Sequence, residues 1–298
     1  MTEMLAKNNE VKNKVKKQKK SQFKEICMRF SKNKLAMFGM IVIILLIIMA
    51  IFAPFIAPYS YDEQNLKRSN MLPSRQHLMG TDNFGRDIFS RIIYGSRISL
   101  QIGFIAVGIG VLIGGTLGSF AAYYGGVADN IIMRFIDVLL AIPSTLLAIS
   151  IAAALGPGLT NAMIAVGVGT VPNYARVVRA SVLTVKEQEF IEAARCIGVK
   201  DHNIILKHIL PNAMAPLIVQ ATIGVASAIL SAAALSFIGL GIQPPIPEWG
   251  AMLSAGRTYI RDYWHIVTFP GVTIMFTIFS LNLFGDGLRD ALDPKLRR

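Results

Sequence analysis

The sequence predicts an all-α polytopic membrane protein of six transmembrane helices with both termini cytoplasmic. Three observations lead there. The 298 residues are 53% hydrophobic and 16% charged, against about 25% charge in a soluble domain, and the mean hydropathy is +0.51. Six apolar stretches are each long enough to cross a hydrocarbon core of roughly 30 Å as a helix. Basic residues gather on one side of such a bundle, as they do in cytoplasmic segments. The same composition, with its 2 cysteines, excludes a soluble globular domain, a disordered chain, a collagen-like repeat and a disulfide-stapled scaffold.

Residues 1–34 form a basic cytoplasmic tail, with eleven Lys and Arg against Glu3, Glu10 and Glu25. Much of the net charge of +12 therefore sits at one end. No aromatic side chain interleaves with the densest part of the run, Lys7 to Lys20, so anionic headgroups fit it better than nucleic acid does. The first span, 35–57, is 23 residues, about 34 Å as a helix. Its length and long basic lead mark an uncleaved anchor rather than a secretory signal. An extracytoplasmic loop with an interfacial helix occupies 58–96. A five-helix core follows over 97–287, with spans at about 98–123, 132–155, 159–178, 213–241 and 265–287, and 288–298 is a cytoplasmic tail. With the N-terminus inside, 22 of the 30 basic residues are cytoplasmic and 8 are outside, and none needs a position in mid-bilayer.

Within the spans, Gly110, Gly114 and Gly118 make a smooth stripe on which another helix can seat, and the segment 226–234 is similarly small. Such stripes serve intrachain bundling or contact with a second membrane subunit, and alone do not separate the two. Pro143, Pro172 and Pro270 predict kinks. Arg134 and Asp137, three apart, can pair on one helix face. Asn173, Arg176 and Arg179 lie where side chains can snorkel towards water. Asn282 and Asp286, near the inner end of the last span, and Gln243 in the last outer loop, are candidate pathway or gate residues. Trp249 is expected at the membrane interface.

Catalytic groupings are sparse. There is no G-x-x-x-x-G-K-[ST] phosphate loop, no H-E-x-x-H pair and no G-x-S-x-G elbow. His77, His202, His208 and His265 are expected to be solvated or interfacial, and Cys27 and Cys196 to stay reduced on the cytoplasmic side, with no metal site. The segment 181–211 is the one long cytoplasmic connection between spans. A short helix through Glu192, Ala193 and Ala194 stops at Gly198, and a second amphipathic helix runs from about Asp201 to Leu210 and Pro211. The pair makes a compact knob suited to a groove on a soluble partner, or a connector lying on headgroups.

Glu192-Ala193-Ala194, three residues, Gly198, then Leu210-Pro211 resembles the E-A-A loop of permease subunits in binding-protein-dependent ABC importers. The sequence departs from that pattern in one place, with His208 where the family has an Ile and Ile209 following it. Three stretches narrow the resemblance: Gly80 to Asp87 with Ser90-Arg91 and Tyr94 to Arg97; Ser236 to Gly241 with Gln243 to Pro245 and Pro247 to Gly250; and Asn282 to Asp290 with Asp293-Pro294. From about Arg29 to the C-terminus the chain is similar to the second permease subunit of the dipeptide/oligopeptide/nickel family.

The resemblance implies the type I ABC importer permease fold in a bacterial inner membrane. It implies a second, homologous permease subunit, two cytoplasmic ATPase subunits and an extracytoplasmic substrate-binding protein as partners. ATP would be used by the partner subunits, with no cofactor bound by this chain and no ATPase site of its own. Glu192, Ala193, Ala194, Gly198, Leu210 and Pro211 inherit the ATPase-coupling role. Asp82, Arg86 and Asp87 in the first outer loop suit turn and helix-cap chemistry, or docking of the binding protein. Peptides are the favoured substrate, with nickel or a nickel chelate the alternative in the same machinery. A stand-alone channel or secondary transporter is the reading from another class, and would show ionisable groups deep in its spans or matched broken half-helices.

Overall fold

The computed structural model describes residues 24–292. Most of the basic tail and the last basic residues, Lys295, Arg297 and Arg298, lie outside them. Among the described residues the regular structure is helical, apart from an isolated antiparallel bridge between Thr81 and Asp87.

A short helix, α1 (24–32), leads through the N-cap Asn33 into α2 (Lys34–Ile51). The Asn33 carboxamide oxygen accepts from the backbone N–H groups of Leu35 and Ala36, both at 3.1 Å, satisfying donors that the helix cannot pair. Pro54 breaks the first span, so that α3 (Ala53–Ile56) is a separate turn. The irregular outer segment then leads to α4 (Ile88–Tyr124), 37 residues and about 55 Å long. It starts ten residues before the expected span because Asp87 caps it, and the polar residues of its first turns find partners inside the protein. There is therefore no separate interfacial helix over 88–96.

The expected third span is two helices, α5 (Gly126–Leu140) and α6 (Ser144–Leu155), bent by 87° at the break containing Pro143. α7 (Leu159–Lys186) extends past its expected end to meet α8 (Glu189–Cys196). α9 (Asp201–Asn203) passes through a π-helical turn, Ile204–Ile209, directly into α10 (Leu210–Phe237). α11 (Trp249–Gly256) and α12 (His265–Leu292) complete the bundle. Four helices among the described residues are long and apolar enough to span, or five when the bent α5–α6 pair is counted as one. α7 is not among them. It carries Asn173, Arg176 and Arg179 and buries its apolar positions against protein, so lipid contact does not set its composition.

α4 packs chiefly on α7, and the glycine stripe explains how. A Cβ at Gly114 would stand 2.5 Å from the Val171 carbonyl oxygen, and one at Gly118 would collide with the Ala175 carbonyl. The stripe therefore serves an intrachain contact. Gly103 of α4 likewise seats against Val225 and Ile229 of α10.

Two ends of the bundle can be told apart. Arg97 donates to the carbonyls of Ala50 and Ile51, both at 3.1 Å, tying the C-terminus of α2 to the first turns of α4. The start of α12 lies there too, since His265 meets the Thr81 carbonyl at 3.3 Å. At the opposite end Phe30 of α1 meets Phe284 of α12 edge-on at 5.4 Å. That end also carries α8, beside Tyr123 near the C-terminus of α4.

Candidate functional site

Three places collect the residues singled out in the sequence. The first is the knob made by α8 and the turn after it. Glu189 and Glu192 in its first turn and Arg195 in its last complement the helix dipole. Ile191 and Ala194, three apart, are buried and seat the helix on the bundle. Glu192 and Ala193 face outward, followed by Ile197, which is 79% exposed. Gly198 has φ +78°. Its N–H donates to the Arg195 carbonyl at 2.9 Å, and that of Val199 to the Ala194 carbonyl at 3.1 Å. These two bonds are the Schellman closure of a helix, which needs a left-handed residue at the glycine position.

The knob is held by residues that the sequence reading did not single out. Tyr123 donates its hydroxyl to Asp201 at 2.6 Å, and the Arg195 guanidinium stands 5.3 Å from the Tyr123 ring centre. Lys186 donates to the carbonyls of Ala122 at 3.1 Å and Tyr123 at 2.6 Å, where α4 runs out of intrahelical partners. A Tyr-Tyr-Gly-Gly sequence at the end of a span was the available signal. Beyond the knob, Ile204 and Ile209 are both fully buried. They are five residues apart, and the π turn brings both inward. Ile209 thus fills the seat, while His208, at the family's Ile position, is half-buried. Leu210 and Pro211 begin α10 directly after the π turn; proline has no N–H to donate one turn back, and the wider π turn stands at the place where its ring must be accommodated.

The second place is the outer segment, where Asp82, Arg86 and Asp87 are 6%, 4% and 2% exposed. One Asp82 oxygen accepts from the N–H groups of Phe84 at 2.9 Å and Arg86 at 3.0 Å, closing an Asx-type turn. The other accepts from Arg86 Nε at 2.7 Å and lies 3.7 Å from Arg91 Nε. Asp87 caps α4 by accepting from the Ser90 N–H and hydroxyl, both at 2.7 Å, and its second oxygen meets His77 Nδ1 at 2.9 Å. Arg91 reaches the Tyr61 carbonyl at 2.8 Å and the Pro245 carbonyl at 3.4 Å, joining the two outer segments. Asp82, Arg86 and Asp87 thus turn their charge into the protein in this conformation. His77 and His265 are buried as well, correcting the expectation of solvated histidines. Trp249 is fully buried rather than interfacial, with its indole N–H on the Ile92 carbonyl at 3.1 Å, because Glu248 caps α11 and directs the ring inward.

The third place is a cavity of about 190 Å³ between α6, α7 and α10. Asn173, Tyr174 and Thr170 line it from α7, Gln220, Ser227 and Ser231 from α10, and Ser144 from α6. Gln243, Asn282 and Asp286 do not line it. Gln243 is exposed and folds back to the Gly239 carbonyl at 3.1 Å, Asn282 is half-buried, and Asp286 is exposed on α12.

Further along α7, charged residues pair between helices. Arg179 binds Asp129 through two bonds of 2.6 Å, and Arg176 binds Asp137 at 2.8 Å. Asp137 therefore reaches across to α7 instead of pairing with Arg134, because α5 lies along α7 and presents the carboxylate to it. Arg176 and Arg179 bond to carboxylates of α5 instead of simply snorkelling.

Comparison with known proteins places these features. A family described as the binding-protein-dependent transport system inner membrane component matches residues 114–298. The N-terminal TM domain of oligopeptide transport permease C matches residues 21–73. The dipeptide transport system permease protein DppC of Alkalihalophilus pseudofirmus is 52% identical, over 93% of this chain and 91% of its own length. The di/tripeptide transport system permease protein DppC of Pseudomonas aeruginosa is 46% identical over 93% of each chain. The glutathione transport system permease protein GsiD of Escherichia coli is 48% identical over 94% of this chain and 93% of its own. A solved chain of the inward-facing MetNI methionine ABC transporter aligns over 68% of this chain and 97% of that one with TM-score 0.55, at 21% identity, which is a likeness of fold.

Proposed function

Because the chain belongs to the family of binding-protein-dependent transport system inner membrane components and has the type I ABC importer permease fold, we propose that it is one of two permease subunits of a peptide importer. The named relatives carry dipeptides, tripeptides and glutathione, itself a peptide, which supports peptides over nickel as the substrate. A second, homologous permease completes the membrane path, two ATPase subunits burn ATP on the cytoplasmic side, and an extracytoplasmic binding protein delivers substrate. The chain itself binds no nucleotide or cofactor. It crosses the inner membrane six times, with α5–α6 and α7 counted as spans and α8 and both termini in the cytoplasm.

One observation carries the reading: α8 offers Glu192, Ala193 and Ile197 outward while Ile191 and Ala194 hold it to the bundle. Ala193 gives a partner close approach, and Glu192 offers a carboxylate for a basic group. A force applied at α8 passes through Tyr123 and Lys186 to the end of α4 and through the π turn to α10. Closure of the ATPase pair would then rock these helices between inward-open and outward-open arrangements.

The test is co-purification of the tagged chain in detergent from its native membrane, wild type beside Glu192→Arg. Wild type is expected to bring down a second permease and ATPase subunits with ATP hydrolysis, and the variant to lose the ATPases while keeping the second permease. Recovery of the wild type alone, without ATP hydrolysis, would refute the importer reading and favour a stand-alone transporter.

A further inference from the structure

The cavity between α6, α7 and α10 has a lining that structural packing leaves unused. Serine and threonine in a helix commonly return their hydroxyl to the carbonyl one turn back, as Ser150, Ser181 and Thr222 do here at 2.9, 3.0 and 2.9 Å. Among the described residues, the side chains of Ser227 and Ser231 make no such bond, nor do those of Asn173 and Gln220 bond to protein, and all four face the cavity. Gln220, Gly224, Ser227 and Ser231 share one face of α10, opposite Gly169, Thr170 and Asn173 on α7. The volume of about 190 Å³ holds on the order of ten waters. Asn173 and Ser227 are exposed at the open side of the cavity and Gln220 and Ser231 are half-buried, so their unbonded polar groups are accessible to water or to a polar ligand.

No charged residue lines the cavity. A fixed charge would select substrate side chains by their sign and hold some of them too long, whereas passage requires binding weak enough to leave. Carboxamides and hydroxyls suit the one feature that all peptides share, the backbone amide with its donor and acceptor.

We propose that this cavity is a substrate station within the single subunit, where backbone amides of a passing peptide exchange hydrogen bonds with Asn173, Gln220, Ser227 and Ser231. The inference rests on the peptide-importer reading and adds to it the place and chemistry of contact. It moves the pathway away from Gln243, Asn282 and Asp286.

The experiment uses the complete importer in liposomes with its binding protein, ATP and alanyl-phenylalanine as the probe. Ser231→Cys is treated with a small water-soluble thiol reagent, and modification at that position is read by peptide mass spectrometry. Modification is expected, and saturating dipeptide during turnover is expected to slow it at least threefold relative to ATP with the unloaded binding protein. Gln220→Leu is expected to lower dipeptide uptake at least fivefold while ATP hydrolysis continues. Absence of modification, or a rate indifferent to dipeptide, overturns the station and leaves the importer reading intact. A wild-type assembly that takes up no dipeptide, tripeptide or longer peptide overturns the reading and the station together. If Ser231→Cys does not assemble, Ser227→Cys on the same face is read by the same criteria.

Discussion

At the scale of single residues, Gly198 shows how a coupling element depends on backbone conformation. An added Cβ would meet nothing within 4 Å, so the site does not lack space. Its φ of +78° is nonetheless one that side chains disfavour, at a cost of about 1–2 kcal/mol. Gly198→Ala should therefore loosen the closure of α8 and reduce stimulation of ATP hydrolysis by loaded binding protein several-fold. Gly198→Asn, which tolerates left-handed backbone, should retain most of it. Equal loss in both variants would mean that the position matters for contact with the partner rather than for φ. This glycine was legible in the sequence because a helix stop has local chemistry. The inward turn of Asp82 and Asp87 was not, since their partners Arg91 and His77 are brought to them only by folding. Nor was the pairing of Asp137, which prefers Arg176 on another helix to Arg134 on its own.

At the scale of elements, the approach of α4 to α7 is set by backbone meeting backbone. Gly114→Val would press a side chain against the Val171 carbonyl and the Ala175 N–H, neither of which can rotate away. The two helices must separate, at a cost of about 3 kcal/mol. Thermal unfolding in detergent should shift down by several degrees, whereas Gly108→Val in the same helix, with nothing within 4 Å of the added Cβ, should leave it nearly unchanged. Similar shifts for both would show that valine propensity, not packing, is being measured. Helix positions followed from hydropathy and the break at α5–α6 from Pro143, but helix ends did not. α4 begins ten residues early because a buried cap and internal partners replace lipid as the criterion, and α7 carries arginines because carboxylates of α5 pair with them. The continuity of α9 with α10 was hidden because Pro211 reads as a boundary, whereas a π turn just before it carries the helix through.

For the whole molecule, the helix pairings place both described chain ends and α8 at one end of the bundle, and orientation then becomes a single binary question. Cys27 on α1 and Cys196 on α8 are both exposed, and they lie at that same end. A membrane-impermeant maleimide should modify both in inside-out vesicles and neither in intact cells. Modification of Cys196 from the outside would invert the proposed topology, and modification of the two from opposite sides would contradict the bundle itself. The same pair reports assembly, because Cys196 shares α8 with the outward-facing Glu192 and Ala193, whereas Cys27 is on a different helix. Expressed alone, the chain should react at both positions at comparable rates. With the ATPase subunits present, Cys196 should become shielded by fivefold or more while Cys27 keeps its rate, since a partner seated on α8 covers one thiol and leaves the other in water.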